Sequence, residues 1–220
     1  LIDKLHLIQA YWSAKALLIW DFLLGKTELR PSSAQGRYLG MKIHRNGQAE
    51  ILTRAQLVEL FAVLSPKYRL LFGICYYTGC RISEALQLQR SDVGKENIVF
   101  RRATTKTKLT REVAIAPGLA ALLAVAELPE QGYLFPGKKA GSCMTSQAAD
   151  LALRKACEYI GLKGFSTHSF RRTALTQMSQ AGVPLRTIQK ISGHESLAAL
   201  QRYLEVSEEN KRSAVAVLGF

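Results

Sequence analysis

The sequence predicts a mainly helical fold of the α+β kind, with one small antiparallel β-hairpin set among helices. Three observations predict it. Most of the 220 residues fall into apolar runs with helical spacing; one neighbouring pair of runs, NIVFRRA and REVAIAP, is short and β-prone; and the polar TTKTKLT between them has the length of an open hairpin tip. With 48% hydrophobic residues the chain has ample material for a core, and its length suits one domain or one domain with an appendage.

Residues 1–24 read as a helix, with Leu5, Ile8, Trp12, Leu18 and Phe22 among its apolar positions, too short to form a domain alone. Residues 25–49 read as a basic linker, rich in Gly and Ser, in which Lys42 and Arg45 could lie along a phosphate backbone or face solvent. The domain proper is expected over 50–220. It opens with TRAQLVELFAVLS, where Thr53 and Gln56 form a capping box and Leu57, Leu60, Phe61 and Leu64 share a face. YRLLFGICYYTG is apolar nearly all round, which predicts a central buried helix ended by Gly79. RISEALQLQ reads as a further helix, followed by the hairpin. GLAALLAVAEL and TSQAADLALRKACEYIGL are helical, the second with Thr145 as N-cap. Helices at about 168–180, 184–191 and 196–204, then a short apolar tail, complete the pattern.

Lys and Arg outnumber Asp and Glu 30 to 17, a formal charge of +13, and the excess runs through segments that also look folded. A polyanion is the expected partner, with nucleic acid ahead of a membrane surface. The four cysteines form no CxxC pair, so neither a zinc site nor a redox motif is signalled. The apolar stretch ALLIWDFLL is interrupted by Asp21, is too short for a membrane span and lacks a signal-peptide cleavage site. A cytoplasmic protein, nucleoid-associated when bound to DNA, is expected.

Four stretches carry chemistry-bearing residues. In FSTHSFRRTALTQM, Phe170, Ala174, Met178 and Ala181 form an apolar stripe, while His168 and Arg171 sit one turn apart at a helix start, where free N–H groups favour a phosphate. His168 as helix cap and Arg171 as surface charge is the plainer alternative. In TGCRISEALQL, Arg81 begins a helix and Glu84, one turn on, can brace its guanidinium or the adjacent backbone. An arginine at a helix start opposes the dipole, which points to an external anion. At the hairpin tip, Lys106 and Lys108 project the same way if the strand continues; the alternative is a solvated basic turn. In SGHESLAALQRYLEV, His194 follows a glycine and Tyr203 lies on the next helix. With a reference pKa near 10, only about one tyrosine in a thousand is ionised at pH 7, so a nucleophilic Tyr203 needs cationic neighbours. Arginines that neutralise a phosphodiester would also favour the phenolate. An ordinary packing aromatic is the competing reading.

Taken together these residues resemble the tyrosine recombinases, or phage integrases. TGCRISE is similar to the family's first arginine box, TKT to its hairpin lysine, HSFR to its His-x-x-Arg box and SGH to its Gly-His box, with Tyr203 nine residues beyond His194. The matches run in the family's order over roughly 50–206. The resemblance implies a helical catalytic domain in which Arg81 and Arg171 contact the scissile phosphate and His168 and His194 assist at the phosphate and in proton transfer. It implies that Lys106 protonates the departing 5′-hydroxyl and that Tyr203 forms a 3′-phosphotyrosine link, with Glu84 in support. Lys42, Arg45, Lys108 and Arg172 are further DNA-binding candidates. Neither metal nor ATP is implied, since the link conserves the bond energy. The implied partners are double-stranded DNA and three further copies of the chain, a homo-tetramer on two DNA sites.

Two positions depart from the family pattern: Arg172 stands where many members have a second His, and Ser192 replaces the commoner Leu before Gly-His. Members also usually carry an N-terminal helical domain that completes a clamp round DNA, whereas about 50 residues precede the match here; a small single-domain member or a fragment is expected. A non-catalytic helix-turn-helix protein explains the charge and the TALTQMSQAGVPLRTIQKISGHES pattern, but leaves Arg81, Lys106, His194 and Tyr203 without a shared purpose. A type IB topoisomerase shares the chemistry but does not exchange strands between two sites.

Overall fold

In the computed structural model, residues 49–105 and 109–201, with isolated positions 212, 215 and 216, are described. The expected N-terminal helix, almost all of the linker with Lys42 and Arg45, the hairpin-tip Lys106 and Lys108, and Tyr203 lie outside them.

The chain enters at α1, Arg54–Val63, through the expected capping box: Thr53 Oγ accepts from the Gln56 N–H while the Gln56 side chain accepts from the Thr53 N–H. Leu57, Leu60 and Leu64 are buried from it. Helix α2, Pro66–Thr78, is the centre of the core, burying Leu70, Leu71, Phe72, Gly73, Ile74, Cys75 and Thr78. Its all-round apolarity is used all round, because α4, α6, α3 and α5 pack on it. Gly79 ends α2 in the left-handed conformation at φ 61°, where a Cβ is penalised.

Helix α3, Ile82–Leu86, is shorter than its sequence pattern predicts. The backbone beyond it is taken by other partners: the Leu88 carbonyl accepts from the Leu134 N–H at 2.9 Å, Gln89 bridges Tyr133, and a 3₁₀ turn follows at Arg90–Asp92. Strands β1, Asn97–Phe100, and β2, Arg111–Ala114, then pair antiparallel with Ile98 opposite Val113 and Phe100 opposite Arg111. NIVFRRA is therefore only partly strand. Arg101 leaves the ladder to grip Asp92 through two bonds of 2.5 and 2.7 Å, and Arg102–Thr104 turn as a 3₁₀ helix. The Arg102 N–H donates to Thr110 Oγ1 at 3.1 Å, which keeps the two arms of the hairpin together.

Helix α4, Pro117–Val125, buries Leu119 and Leu122 against α2. Helix α5, Ser146–Tyr159, starts from Thr145, whose Oγ accepts the Ala148 N–H as expected. Helix α6, Thr167–Gln180, follows Ser166, whose N–H donates to Ser169 Oγ at 3.0 Å, so His168 occupies the first turn and is not the cap. Phe170 sits between helices: its ring stacks on Phe72 of α2 at 4.9 Å and on Phe61 of α1 at 6.0 Å between centroids. Ala174 and Met178 continue the apolar stripe, but Ala181 is exposed because the helix ends there and the chain turns away. Helix α7, Leu185–Ser192, and the short α8, Leu197–Gln201, close over a second small cluster of Leu175, Ile188 and Leu200. The fold is thus mostly helical with a two-stranded antiparallel sheet among the described residues. No described helix is long and apolar enough to cross a membrane.

Candidate active site

Arg171 organises the site. It is 1% exposed, a burial that an arginine tolerates only when its donors are met. Its Nη1 donates to the carbonyls of Gly79 and, at 2.8 Å, of Ser192. Gly79 follows the last turn of α2 and Ser192 is the last residue of α7, so this single cation meets the electronegative ends of two helices from a third. Its Nη2 lies 2.9 Å from His194 Nε2 and 3.1 Å from Nδ1.

His194 is placed by the turn after α7. Gly193 adopts φ 68°, and the Gln189 side-chain amide donates to the His194 carbonyl at 3.1 Å. Ser192 Oγ lies 2.7 Å from the Ile188 carbonyl and 2.8 Å from His194 Nδ1. A hydroxyl has one proton, and the carbonyl must receive it; Nδ1–H then donates to Ser192 Oγ, and Nε2 is left as the ring's acceptor. Burial, then the charges of Arg171 and Arg81, push the His194 pKa down to about 3, so the imidazole is neutral at pH 7.

Arg81 and Glu84 meet as the sequence predicts. The Arg81 N–H donates to Glu84 Oε2 at 3.0 Å and its Nη1 to Oε1 at 3.2 Å. Glu84 is 1% exposed, while the Arg81 side chain keeps 23% of its surface. The sequence reading missed Arg111, whose Nη2 bonds Glu84 Oε2 at 2.7 Å and whose Nε donates to the Ile191 carbonyl at 3.0 Å. Its guanidinium also lies over the Phe100 ring at 4.3 Å. The available signal was the period of two along REVA, which puts Arg111 on the same face as the buried Val113. Burial pushes the Glu84 carboxyl up, but bonding to Arg111, the Arg111 charge and the Arg81 N–H outweigh it and hold it below the usual carboxylate range.

Arg81, Glu84, Arg171 and His194 therefore form one buried, cation-rich cluster drawn from α3, α6 and the turn after α7. His168 is exposed on the first turn of α6. Arg172, considered above for DNA, directs Nη1 to the Ala49 carbonyl at 2.6 Å, and the neighbouring Thr173 Oγ1 accepts the Leu52 N–H at 2.9 Å. These bonds tie the entering chain to α6. A cleft of about 540 Å³, lined by Asp150, Arg154, Cys157 and Lys163 among others, shares no residue with the cluster. Among the described residues no group of three or more His, Cys, Asp or Glu is placed to hold a metal ion. Chemically, a cluster with a neutral imidazole and two arginines, one of them with its guanidinium partly open, is suited to receive an anion with developing negative charge.

The chain matches the phage integrase family model over residues 50–210. Among curated proteins, y4qK of Sinorhizobium fredii, whose name places it with the integrases and recombinases, is 35% identical over 151 residues, covering 67% of this chain and 49% of its own. Tyrosine recombinase XerC of Rhodospirillum centenum is 34% identical over 171 residues, covering 74% and 49%. The chain thus spans about half the length of these curated relatives. Among solved structures, XerA recombinase aligns with a TM-score of 0.63 at 22% identity, covering 76% of this chain and 64% of that one. The catalytic domain of bacteriophage HP1 integrase aligns with a TM-score of 0.57 at 26% identity, covering 77% and 95%.

Proposed function

Because this chain belongs to the phage integrase family, we propose that it is the catalytic part of a site-specific DNA recombinase, cleaving and rejoining strands through a 3′-phosphotyrosine intermediate. The observation that carries this reading is the convergence of Arg81, Arg171 and His194 on one site: Arg171 bonds the Gly79 carbonyl two residues before Arg81 and lies against His194, whose imidazole feels both charges. Arg81 and Arg171 neutralise the non-bridging oxygens as charge builds on the phosphorane, His168 adds a hydrogen bond, and the neutral His194, with Nε2 as acceptor, assists proton transfer. The Tyr203 oxygen attacks phosphorus in line, its proton passing to a base such as a neutral imidazole, and the P–O5′ bond breaks as Lys106 delivers a proton to the leaving oxygen. The free 5′-hydroxyl of a partner strand reverses the step and releases Tyr203. Neither metal nor ATP enters the balance. Double-stranded DNA is the substrate, and strand exchange between two sites calls for four protomers.

The test is a nicked DNA duplex incubated with the protein and resolved under denaturing conditions. The proposal expects a protein–DNA band that Arg171→Ala forms more slowly, by on the order of a hundredfold, as when an oxyanion donor is removed. The α6–turn–α7 geometry favours one rival, a helix-turn-helix binding protein. Salt-sensitive DNA binding with no covalent band would support the rival and overturn the proposal.

A further inference from the structure

Glu84 poses a charge problem. A buried carboxylate in contact with Arg81 would cancel the charge that Arg81 offers to a phosphate. The shortest bond to that carboxylate, however, is not from Arg81. It comes from Arg111 at 2.7 Å, against 3.2 Å for the Arg81 side chain, and the Arg111 side chain is 8% exposed against 23% for Arg81. We propose that Arg111 is a positioning residue that neutralises Glu84, so that Glu84 orients Arg81 without cancelling its charge. The inference rests on the reading of Arg81 as a phosphate-binding arginine.

Three further contacts make the role specific to this side chain. The Arg111 Nε–H is spent on the Ile191 carbonyl, three residues before His194. Its guanidinium carbon lies 4.3 Å from the ring centroid of Phe100, its cross-strand partner on the hairpin. A Cβ on Gly193 would stand 2.8 Å from Arg111 Nη1, so the turn that carries His194 is shaped around it. Arg111 therefore joins the hairpin, the Arg81–Glu84 pair and the His194 turn through one planar group. Lysine could supply the charge but not the fork.

The experiment compares wild type, Arg111→Met, Arg111→Lys, Glu84→Gln and the Arg111→Met/Glu84→Gln pair at saturating nicked DNA. Arg111→Met should slow covalent-adduct formation about tenfold or more, as loss of a charge-assisted pair in the site implies. Adding Glu84→Gln should restore the rate to within about threefold of Glu84→Gln alone, because the uncompensated carboxylate is then gone. Arg111→Lys should fall between. A packing role would leave the two substitutions additive, and that result overturns the proposal. Titration with inorganic phosphate, followed by NMR, reads the same balance without DNA chemistry: weaker binding in Arg111→Met, restored in the pair. Absence of any adduct in wild type would refute the recombinase reading, while the phosphate series would still decide the role of Arg111.

Discussion

A guanidinium that is 1% exposed fixes the chemistry of its surroundings, because each N–H that lost water needs an acceptor. Arg171 finds acceptors in segments 92 and 21 residues away, and His194 is neutral beside it. This has a consequence for stability. The His194 pKa is lowered from an ordinary 6.5 to about 3, so the unfolded chain binds the extra proton and the folded one does not. Stability from this group is fully present above pH 6.5 and is lost as pH falls toward 3, with a limiting slope of about 1.4 kcal/mol per pH unit. Melting curves between pH 7 and 5.5 should show stability falling progressively toward this slope in wild type and falling less in His194→Gln. The HSFR spacing predicted that His168 and Arg171 lie one turn apart at a helix start, and they are the second and fifth residues of α6. It could not foretell that one is exposed and the other buried, since the groups that bury Arg171 are set by tertiary contacts.

At the scale of elements, the site is built where helices end. The C-terminus of α2, the start of α3 and the C-terminus of α7 converge, and the left-handed Gly79 and Gly193 make the turns that allow it. A Cβ at Gly79 would meet Leu175 Cδ2 at an ordinary 3.5 Å, so substitution there is penalised by backbone conformation and not by crowding. Gly79→Ala should lower stability by roughly 1–2 kcal/mol, measurable by urea denaturation, with its Arg171 bond retained. Long elements were legible in the sequence: the capping box of α1, the all-round burial of α2 and the Thr145 cap of α5 all follow from local pattern. Short ones were less so. The pattern of RISEALQLQ continues as a helix, yet pairing with residues 132–134 stops it at Leu86. Arg111 was passed over for a similar reason: its partner Glu84 lies 27 residues away, and only the strand's period of two hints that it faces inward.

For the whole molecule, the formal charge of +13 and the cation-rich cluster make one statement about the partner. If DNA phosphates are neutralised along this surface, log K should fall linearly with log salt, with a slope near −0.9 per phosphate contact, several units in all. A nearly flat slope would contradict the proposed substrate. The measurement that tests the central claim most directly is identification of the reacting atom. Protein trapped on phosphorothiolate-bearing DNA is denatured and digested, and the peptide carrying the nucleotide is sequenced by mass spectrometry. The account predicts a 3′-phosphodiester on Tyr203 and none in Tyr203→Phe. A nucleotide on another residue, or adduct formation undiminished in Tyr203→Phe, would contradict it.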